Sequence, residues 1–593
     1  MIAKIARSVG IPLIYAVVGL STADCVASDQ SADLIFHNAN IWTVDSTQPT
    51  AQAVAVKGNR IVRVGSNTEV LALKATTTEL IDLNGQFLMP GFIDAHTHFE
   101  NAVLDYFHMR LNDVNDEKSL LEILQKRVAD VPEIFWITGG DWSAASGRGR
   151  EESGADTATF SPSLDLVDKL TPDRPVLLSR YDGAYFMNSA GFERMHITKD
   201  TPDPSGGHYE HDPVTGELTG MMYGTAGPRL VNALPPDSRA KIMFGAQAMV
   251  RKLNRHGIVG IHDIARVPEI SDQQVFQTNV ERSASDVSIF TRLRDENHLS
   301  VRVYPVLTLR TWSSLNDAAI TPRSGDDTIR YGALKMFLDG FLMFRPYANN
   351  PQYSGSLSFR NIDGTQLRRE VVAADAAGWD IAAHVTGDKG HAMVLDYFEA
   401  ARQSNKSRAR RDRAVHAWYP RMAEIQRGGK LGLIGDITPY HLIREMSAMT
   451  KKLHPDQIST AFAWKTMIRE GWRINIVSDW PGSYDGSHAA PLNPLENIYY
   501  AITRRRVGDE PSDSFNPAES LTIDQAIEAY TINPAYSSWE EDSKGSISVG
   551  KLADMVVLSN DIRKIAPVEL LRTEVLTTVF DGKIVYSAAE VQP

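Results

Sequence analysis

The chain has 593 residues, of which 43% are hydrophobic and 23% charged, and its formal net charge is −12 at neutral pH. This length is too great for one small core and favours two or three domains. Because the acidic balance offers no basic stripe to phosphates, nucleic acid is not expected as a partner.

The amino terminus has the pattern of a secretory signal peptide. Lys4 and Arg7 precede an apolar stretch over residues 11–20, and small residues follow it. We expect residues 1–27 to be removed, which predicts a periplasmic or secreted protein with no membrane contact after cleavage; an uncleaved anchor is the alternative. The single cysteine, Cys25, would leave with this segment, so the mature chain could hold neither a disulfide nor a thiolate zinc site.

Segments with the pattern of β-strands follow, and they recur at the other end of the chain. Short apolar runs separated by turns occupy residues 28–89, and similar runs occupy residues 540–593. We predict that the two segments form one β-sandwich domain, with residues 90–539 as an inserted domain.

The middle of the chain alternates apolar runs with helical patterns. Eight runs that end in polar residues cover 91–97, 257–264, 301–309, 332–339, 379–385, 413–418, 431–438 and 473–479. Eight such units predict an α/β fold of the (β/α)8 TIM barrel type, whose chemistry lies at the carboxyl ends of the strands. The long interval after the first run predicts an extra lobe over about residues 100–255.

Two histidines, His96 and His98, stand at the end of the first run. Residues two apart on a strand share a face, so both imidazoles could point toward one metal ion. A lone His-x-His also occurs without a metal. The ends of later runs supply further candidates for the same edge, namely Lys335, Asp339, His384, His416 and Asp479.

Several motifs in this order resemble the amidohydrolase superfamily, and more narrowly its YtcJ-like branch, the amidohydrolase 3 family, which includes N-substituted formamide deformylases. The matching segments are residues 90–98, 172–176, 335–340, 384–388, 478–481 and 545–554. The resemblance covers nearly the whole mature chain.

The resemblance implies a set of metal ligands. His96 and His98 would hold a first divalent ion, and His384 and His416 a second, with zinc as the expected metal. Lys335, carboxylated by CO2, would bridge the two, because an ammonium has no lone pair to donate; a lysine that reaches solvent is the alternative. Whether one or two ions bind stays open.

The resemblance also implies catalytic and substrate-binding roles. Asp479 would contact the metal and carry the proton from the attacking hydroxide to the leaving nitrogen. His441 would face the substrate carbonyl, although a structural histidine is equally consistent with its position. Asp339, Arg345 and Phe341 are the candidates for substrate contact.

Four other polar residues are predicted to have supporting or structural roles and not to bind the metal. Asp94 shares the face of His96 and could support the site from behind, and His262 is expected either in the core or as another supporting group. His208 and His211 would face opposite sides of a strand, so a metal site there is not favoured.

The chain departs from the family in two places. The family commonly has Asp-Gly-His ahead of Asn-Ser where this chain has residues 182–189 without that histidine, and Ser-Leu-Gly-Ser where it has residues 341–344; the replacements are mostly bulky and apolar. If both places line the entrance of the pocket, they predict a hydrophobic substituent on the substrate.

These observations together predict a metal-dependent hydrolase that cleaves a carbon–nitrogen bond of a small, non-peptide amide through a metal-activated hydroxide. An N-substituted formamide or an N-acyl compound is the expected substrate. An ester, lactone or carbamate is an alternative substrate for the same site. A non-catalytic binding protein on an inherited barrel is the alternative of another class, and a homo-oligomer is left open.

Overall fold

The structure is a computed structural model, and it describes residues 31–111, 114–131, 135–142, 160–180, 182–235, 238–265, 286–317, 320–338, 364–453, 455–482 and 490–591. The predicted signal peptide lies outside these residues. Within them, no helix is both long and apolar enough to cross a membrane.

Eight parallel strands form the central sheet, and they follow one another in chain order. Barrel strands 1 to 8 are Phe92–Thr97, Ile258–Asp263, Arg302–Thr308, Ala333–Phe337, Asp380–Val385, Arg413–His416, Ile434–Ile437 and Arg473–Ile476. Nearly all of their residues are buried, as expected for strands covered on both faces. The predicted (β/α)8 fold is confirmed, and each predicted run contains one observed strand.

The sheet nearly closes into a barrel between strands 8 and 1. Beyond strand 8, the Asp479 amide donates to the His96 carbonyl at 3.0 Å, and the His98 amide donates to the Trp480 carbonyl at 2.8 Å. The carboxyl ends of the first and last strands are therefore joined by the residues that carry the candidate chemistry.

Helices cover the outside of this sheet, and other helices pack on the smaller sheets described below. Those of eight or more residues are Phe99–Phe107, Glu117–Asp130, Ala226–Ala233, Arg239–Arg255, Asp286–Asp295, Gly364–Ala376, Asp388–Ser404, Met422–Leu431, Pro439–Lys452 and Pro494–Thr503. Shorter helices are Asn67–Leu71, Leu164–Leu170, Ser189–Arg194, Trp312–Asp317, Pro455–Ile458, Trp464–Arg469, Ile523–Ala529 and Ile532–Ser537. The apolar sides of most of the longer helices share one large core with the barrel strands, whereas Glu117–Asp130 and Ala226–Ala233 pack in separate, smaller cores.

Strands from both ends of the chain meet in two packed sheets. One sheet has the order Arg60–Gly65, Ala53–Lys57, Leu34–His37, Glu79–Asp82, and the other has the order Lys583–Ser587, Val575–Phe580, Met555–Leu558, Phe87–Pro90, Asn40–Trp42, Thr50–Ala51. The carboxyl-terminal strand Met555–Leu558 pairs antiparallel with Phe87–Pro90. Phe36, Val56, Leu88 and Val557 pack in the core between the sheets.

A third sheet of six strands lies between barrel strands 1 and 2 in the sequence. Its order is Gly207–His211, Leu218–Gly224, Tyr185–Met187, Val176–Arg180, Ile137–Trp142, His108–Arg110. It has its own apolar core, which includes Met109, Ile137, Trp142 and Phe186. The helix Arg239–Arg255 then packs on the helix Phe99–Phe107 and leads the chain back to barrel strand 2.

Candidate metal centre

His96 and His98 converge on one carboxylate oxygen. His96 lies within barrel strand 1 and is 1% exposed, whereas His98 follows the strand and its side chain is 24% exposed. The Nε2 atom of each ring lies 3.2 Å from Asp479 Oδ1. The two imidazoles and the carboxylate therefore form a compact group of nitrogen and oxygen donors that could hold one metal ion.

The backbone of Asp479 is held in an unusual conformation. Its φ of +60° lies in the left-handed region, which non-glycine residues seldom adopt. Behind it, Asp94 Oδ1 accepts hydrogen bonds from the Ser478 amide at 3.1 Å and the His96 amide at 3.2 Å. Asp94 thus ties strand 1 to the segment after strand 8, which is consistent with the supporting role that the sequence predicts.

His416 and His441 approach the same carboxylate from the other side. His441 lies in the first turn of the helix Pro439–Lys452, and its Nε2 is 3.4 Å from Asp479 Oδ2. His416 ends barrel strand 6 with a φ of +71°, and its ring centroid lies 5.3 Å from that of His96. His416, His441 and Asp479 form a second group of donors close enough to share an ion.

A hydroxyl orients the His416 ring. His416 Nδ1 lies 3.0 Å from Thr438 Oγ1 at the end of barrel strand 7. With Nδ1 engaged in this way, Nε2 is left as the donor for a ligand, the arrangement common behind metal-bound histidines.

Lys335 and His384 complete the wall of the cluster on barrel strands 4 and 5. The His384 ring centroid lies 4.7 Å from that of His416 and 5.4 Å from that of Phe337. Lys335 is 2% exposed, and its Nζ lies 4.9 Å from the centroid of the Phe337 ring. The structure thus places Lys335 and His384 at this edge, although neither belongs to the two tightest groups of donors.

Several potential ligand atoms of this cluster make no hydrogen bond to the residues that the structure describes. Six buried atoms of the cluster make no hydrogen bond within the described part of the chain: His96 Nδ1, His96 Nε2, Lys335 Nζ, His384 Nε2, His441 Nδ1 and Asp479 Oδ1. Buried polar atoms are almost always satisfied, so several orphaned donors around one point fit a bound cation. A set of imidazoles and carboxylate without thiolate suits zinc or a similar divalent ion.

Burial sets the protonation of the cluster. It lowers the pKa of His384 to about 3, and it lowers the pKa values of His96 and His416 well below their usual range. These imidazoles are therefore neutral, which is the form that binds metals. Burial would raise the pKa of the Asp479 carboxyl, but its contacts with His441, His96 and His98 outweigh that effect and hold this pKa well below its usual range.

A buried ionic network lies in the barrel interior beside this cluster. The Arg413 guanidinium contacts Asp436 Oδ2 at 2.6 Å and His262 Nδ1 at 3.1 Å, and it also donates to the Ala95 carbonyl, next to His96. Asn475 Nδ2 donates to Asp436 Oδ1 at 2.8 Å. The network links barrel strands 1, 2, 6, 7 and 8, and it places His262 in the core as the sequence predicts.

The other predicted residues lie away from the cluster or outside the described residues. Asp339, Phe341 and Arg345 lie outside the described residues, so their predicted contact with substrate stays a prediction. His208 and His211 lie on the exposed hairpin of the third sheet, where His208 Nδ1 contacts Asp203 at 2.9 Å and His211 Nε2 contacts the Lys199 carbonyl at 3.1 Å. They do not converge on a carboxylate in the way the barrel histidines do.

Sequence reasoning missed Arg413, Asp436 and Thr438 as members of the site. A charged residue within an otherwise apolar barrel strand is the signal that could have pointed to Arg413 and Asp436. Thr438 gives a weaker signal, because a threonine at a strand end is ordinary in any barrel.

Fold and site together define a barrel hydrolase with a histidine–aspartate cluster that could hold a metal ion. The chain belongs to the amidohydrolase family, whose profile matches residues 79–586. The resemblance seen in the sequence is thereby confirmed, and we assign the chain to the hydrolases that act on carbon–nitrogen bonds other than peptide bonds.

Relatives of similar length support this assignment. The chain is 29% identical to Bacillus subtilis YtcJ, named as an amidohydrolase, over 93% of this chain and 99% of that protein. It is 28% identical to the N-substituted formamide deformylase of Arthrobacter pascens over 94% of this chain and 99% of that enzyme. Among solved structures, a metal-dependent hydrolase from Pyrococcus furiosus has the same fold, with a TM-score of 0.63 at 21% identity, and covers 90% of this chain and 100% of its own.

Proposed function

We propose that this protein is a divalent-metal hydrolase that cleaves the carbon–nitrogen bond of a small amide bearing a hydrophobic group, such as an N-substituted formamide or another N-acyl compound. The observation that carries the proposal is the convergence of His96, His98 and His441 on the Asp479 carboxylate, within 3.2 to 3.4 Å. The similarity to the formamide deformylase of Arthrobacter pascens supports the choice of substrate class.

The proposed chemistry uses the Asp479 carboxylate as the proton carrier. A divalent ion, when bound, would polarise the substrate carbonyl and lower the pKa of water. Asp479, whose side chain is 17% exposed, takes the proton of the attacking water on its carboxylate. It then delivers that proton to the leaving nitrogen, which makes the amine a better leaving group. His441 Nε2, 3.4 Å from Oδ2, holds the carboxylate in place during both transfers.

Apolar side chains near the cluster support a hydrophobic substrate. Phe337 ends barrel strand 4 with 39% of its surface exposed, and its ring lies 5.4 Å from His384. The Trp418 ring lies 5.3 Å from that of His441. Trp418 is already buried, so an alkyl or aryl substituent of the amide would cover the exposed Phe337 ring and gain about 25 cal/mol for each Å² removed from water.

Carboxylation of Lys335 is the second part of the proposal. Its Nζ is buried and has no hydrogen-bond partner within the described residues, and it lies on the strand next to that of His384. A carbamate would turn this lone cation into an anion with two oxygens able to bridge two ions. Incubation of the metal-loaded enzyme with 13C-labelled CO2 should give a carbamate carbon resonance that is absent in Lys335→Met; a spectrum identical for both proteins would reject the modification.

Secretion is a further proposal, supported by the signal-like pattern of residues 1–27. Mass spectrometry of the protein recovered from the periplasm or the medium should give a mature amino terminus after Ala27. A full-length chain confined to the cytoplasm would contradict it.

A panel of paired substrates tests the proposed function. N-benzylformamide and N-butylformamide should be cleaved with higher kcat/KM than formamide itself, and the matched benzyl and butyl formate esters measure the ester alternative. Faster cleavage of the small polar amide would contradict the hydrophobic pocket. Cleavage of the esters alone would replace the amide assignment.

A further inference from the structure

A cavity lies beside the candidate metal centre but outside it. Its volume is about 740 Å³, which is within the range of roughly 300 to 1,000 Å³ typical of small-molecule sites. It is bordered by the helices Phe99–Phe107, Glu117–Asp130 and Arg239–Arg255 and by the segment after Asp479. None of the clustered histidines lines it, nor does Asp479 or Lys335. We call this cavity the flank pocket.

One side of the flank pocket is apolar. Its lining includes Met249, Trp480, Pro481 and Leu492. The Trp480 ring is largely buried, and the Trp480 carbonyl accepts the His98 amide at 2.8 Å. A ligand in the pocket would therefore touch the residue next to Asp479 without reaching the metal ligands.

The other side carries an excess of positive charge. Two of its cations, Lys126 and Lys252, make no ion pair with a carboxylate within the described ranges. The Lys252 Nζ lies 5.3 Å from the centroid of the Trp480 ring, so an ammonium stands directly above the apolar wall.

The acidic residues of the lining are mostly engaged elsewhere. Asp105 binds Arg110 at 2.8 Å, and Glu496 accepts the hydroxyl of Tyr500 at 2.7 Å. These contacts engage two of the three carboxylates of the lining, the third being that of Asp130. Lys252 forms no ion pair with any of the three within the described residues, so its ammonium can bind an added anion.

We propose that the flank pocket binds a small amphiphilic monoanion, an aryl or alkyl group that carries one carboxylate or sulfonate. The apolar part would lie against Trp480 and Met249, and the anionic group would contact the Lys252 ammonium. This site is independent of the proposed amide chemistry, since it shares no residue with the metal cluster.

Benzenesulfonate is a suitable probe, because a sulfonate is a weak ligand for divalent metals and discriminates against the metal centre. Titration of the full-length, metal-loaded protein by calorimetry should give one saturable site. Lys252→Met keeps the length of the side chain but removes the charge, and it should weaken binding about tenfold, as expected for loss of one charged contact. Lys252→Arg should bind nearly as well as the wild type.

Arg239→Gln is the matched control, because it removes an exposed cation from the same helix outside the pocket. It should leave the affinity unchanged. Absence of saturable binding to the wild type would overturn the proposal. Equal binding by wild type and Lys252→Met would overturn it too, and would assign the sulfonate to the metal centre or to another surface. If benzyl alcohol binds as tightly as benzenesulfonate, the pocket recognises only the apolar group, and the proposed preference for an anion is wrong.

Discussion

Arg413→Met should lower the free energy of unfolding, because the substitution leaves a buried carboxylate without its cation. Arg413 and Asp436 are both fully buried, and their closest atoms lie 2.6 Å apart. Removing one partner of such a pair costs about 3 to 5 kcal/mol, since the other charge remains desolvated. The Ala95 carbonyl also loses its donor, which adds about 1 to 3 kcal/mol unless water enters.

Urea unfolding followed by circular dichroism measures this loss, and a double variant isolates its cause. In Arg413→Met with Asp436→Leu no charge is left unpaired, so the double variant should be more stable than Arg413→Met alone. Metal content should fall in the single variant as well, because Ala95 precedes His96. A decrease in the free energy of unfolding below about 1 kcal/mol in Arg413→Met would refute the reasoning. So would a double variant whose decrease equals the sum of those of Arg413→Met and Asp436→Leu.

Three further predictions concern the site and its surroundings. Asp479→Asn keeps the shape of the side chain but removes its charge, and kcat for the best amide should fall at least about 100-fold; an unchanged kcat would exclude the proton role. Thr438→Val removes the hydroxyl that orients His416 and should weaken metal affinity about 10- to 100-fold in a chelator titration, whereas Thr438→Ser should retain it. Burial lowers the pKa of His391 from 6.5 to about 4 in the folded protein. As the pH falls from 6.5 to 4, this histidine is protonated in the unfolded chain but not in the folded one, so the folded state loses stability over that window. His391→Gln should lose about 3 kcal/mol less than the wild type over that window in urea unfolding, and equal losses would contradict the assignment.

The barrel could be predicted because of how its strands are buried. Strands covered on both faces need a continuous apolar run, and runs such as Arg302–Thr308 and Asp380–Val385 stand out in the sequence. The convergence of His96, His416 and Asp479 followed from the same rule, since the carboxyl ends of parallel strands share one edge.

Contacts that depend on which strands are neighbours in space could not be predicted in the same way. Arg413 and Asp436 are 23 residues apart, and only the pairing of barrel strands 6 and 7 brings them together. The approach of His441 to Asp479 depends on where the helix Pro439–Lys452 begins. The left-handed conformations of His416 and Asp479 leave no signal in the residue types, because neither is a glycine.

The central claim is that His96, His98 and Asp479 hold a divalent metal at the mouth of the barrel. Anomalous diffraction from crystals of the metal-loaded protein, recorded on both sides of the zinc absorption edge, tests it most directly. We predict a zinc peak at about 2.0 to 2.1 Å from the Nε2 atoms of His96 and His98, and its disappearance in His96→Asn. A map without any anomalous peak within reach of these two rings, from protein that hydrolyses the amide, would contradict the account.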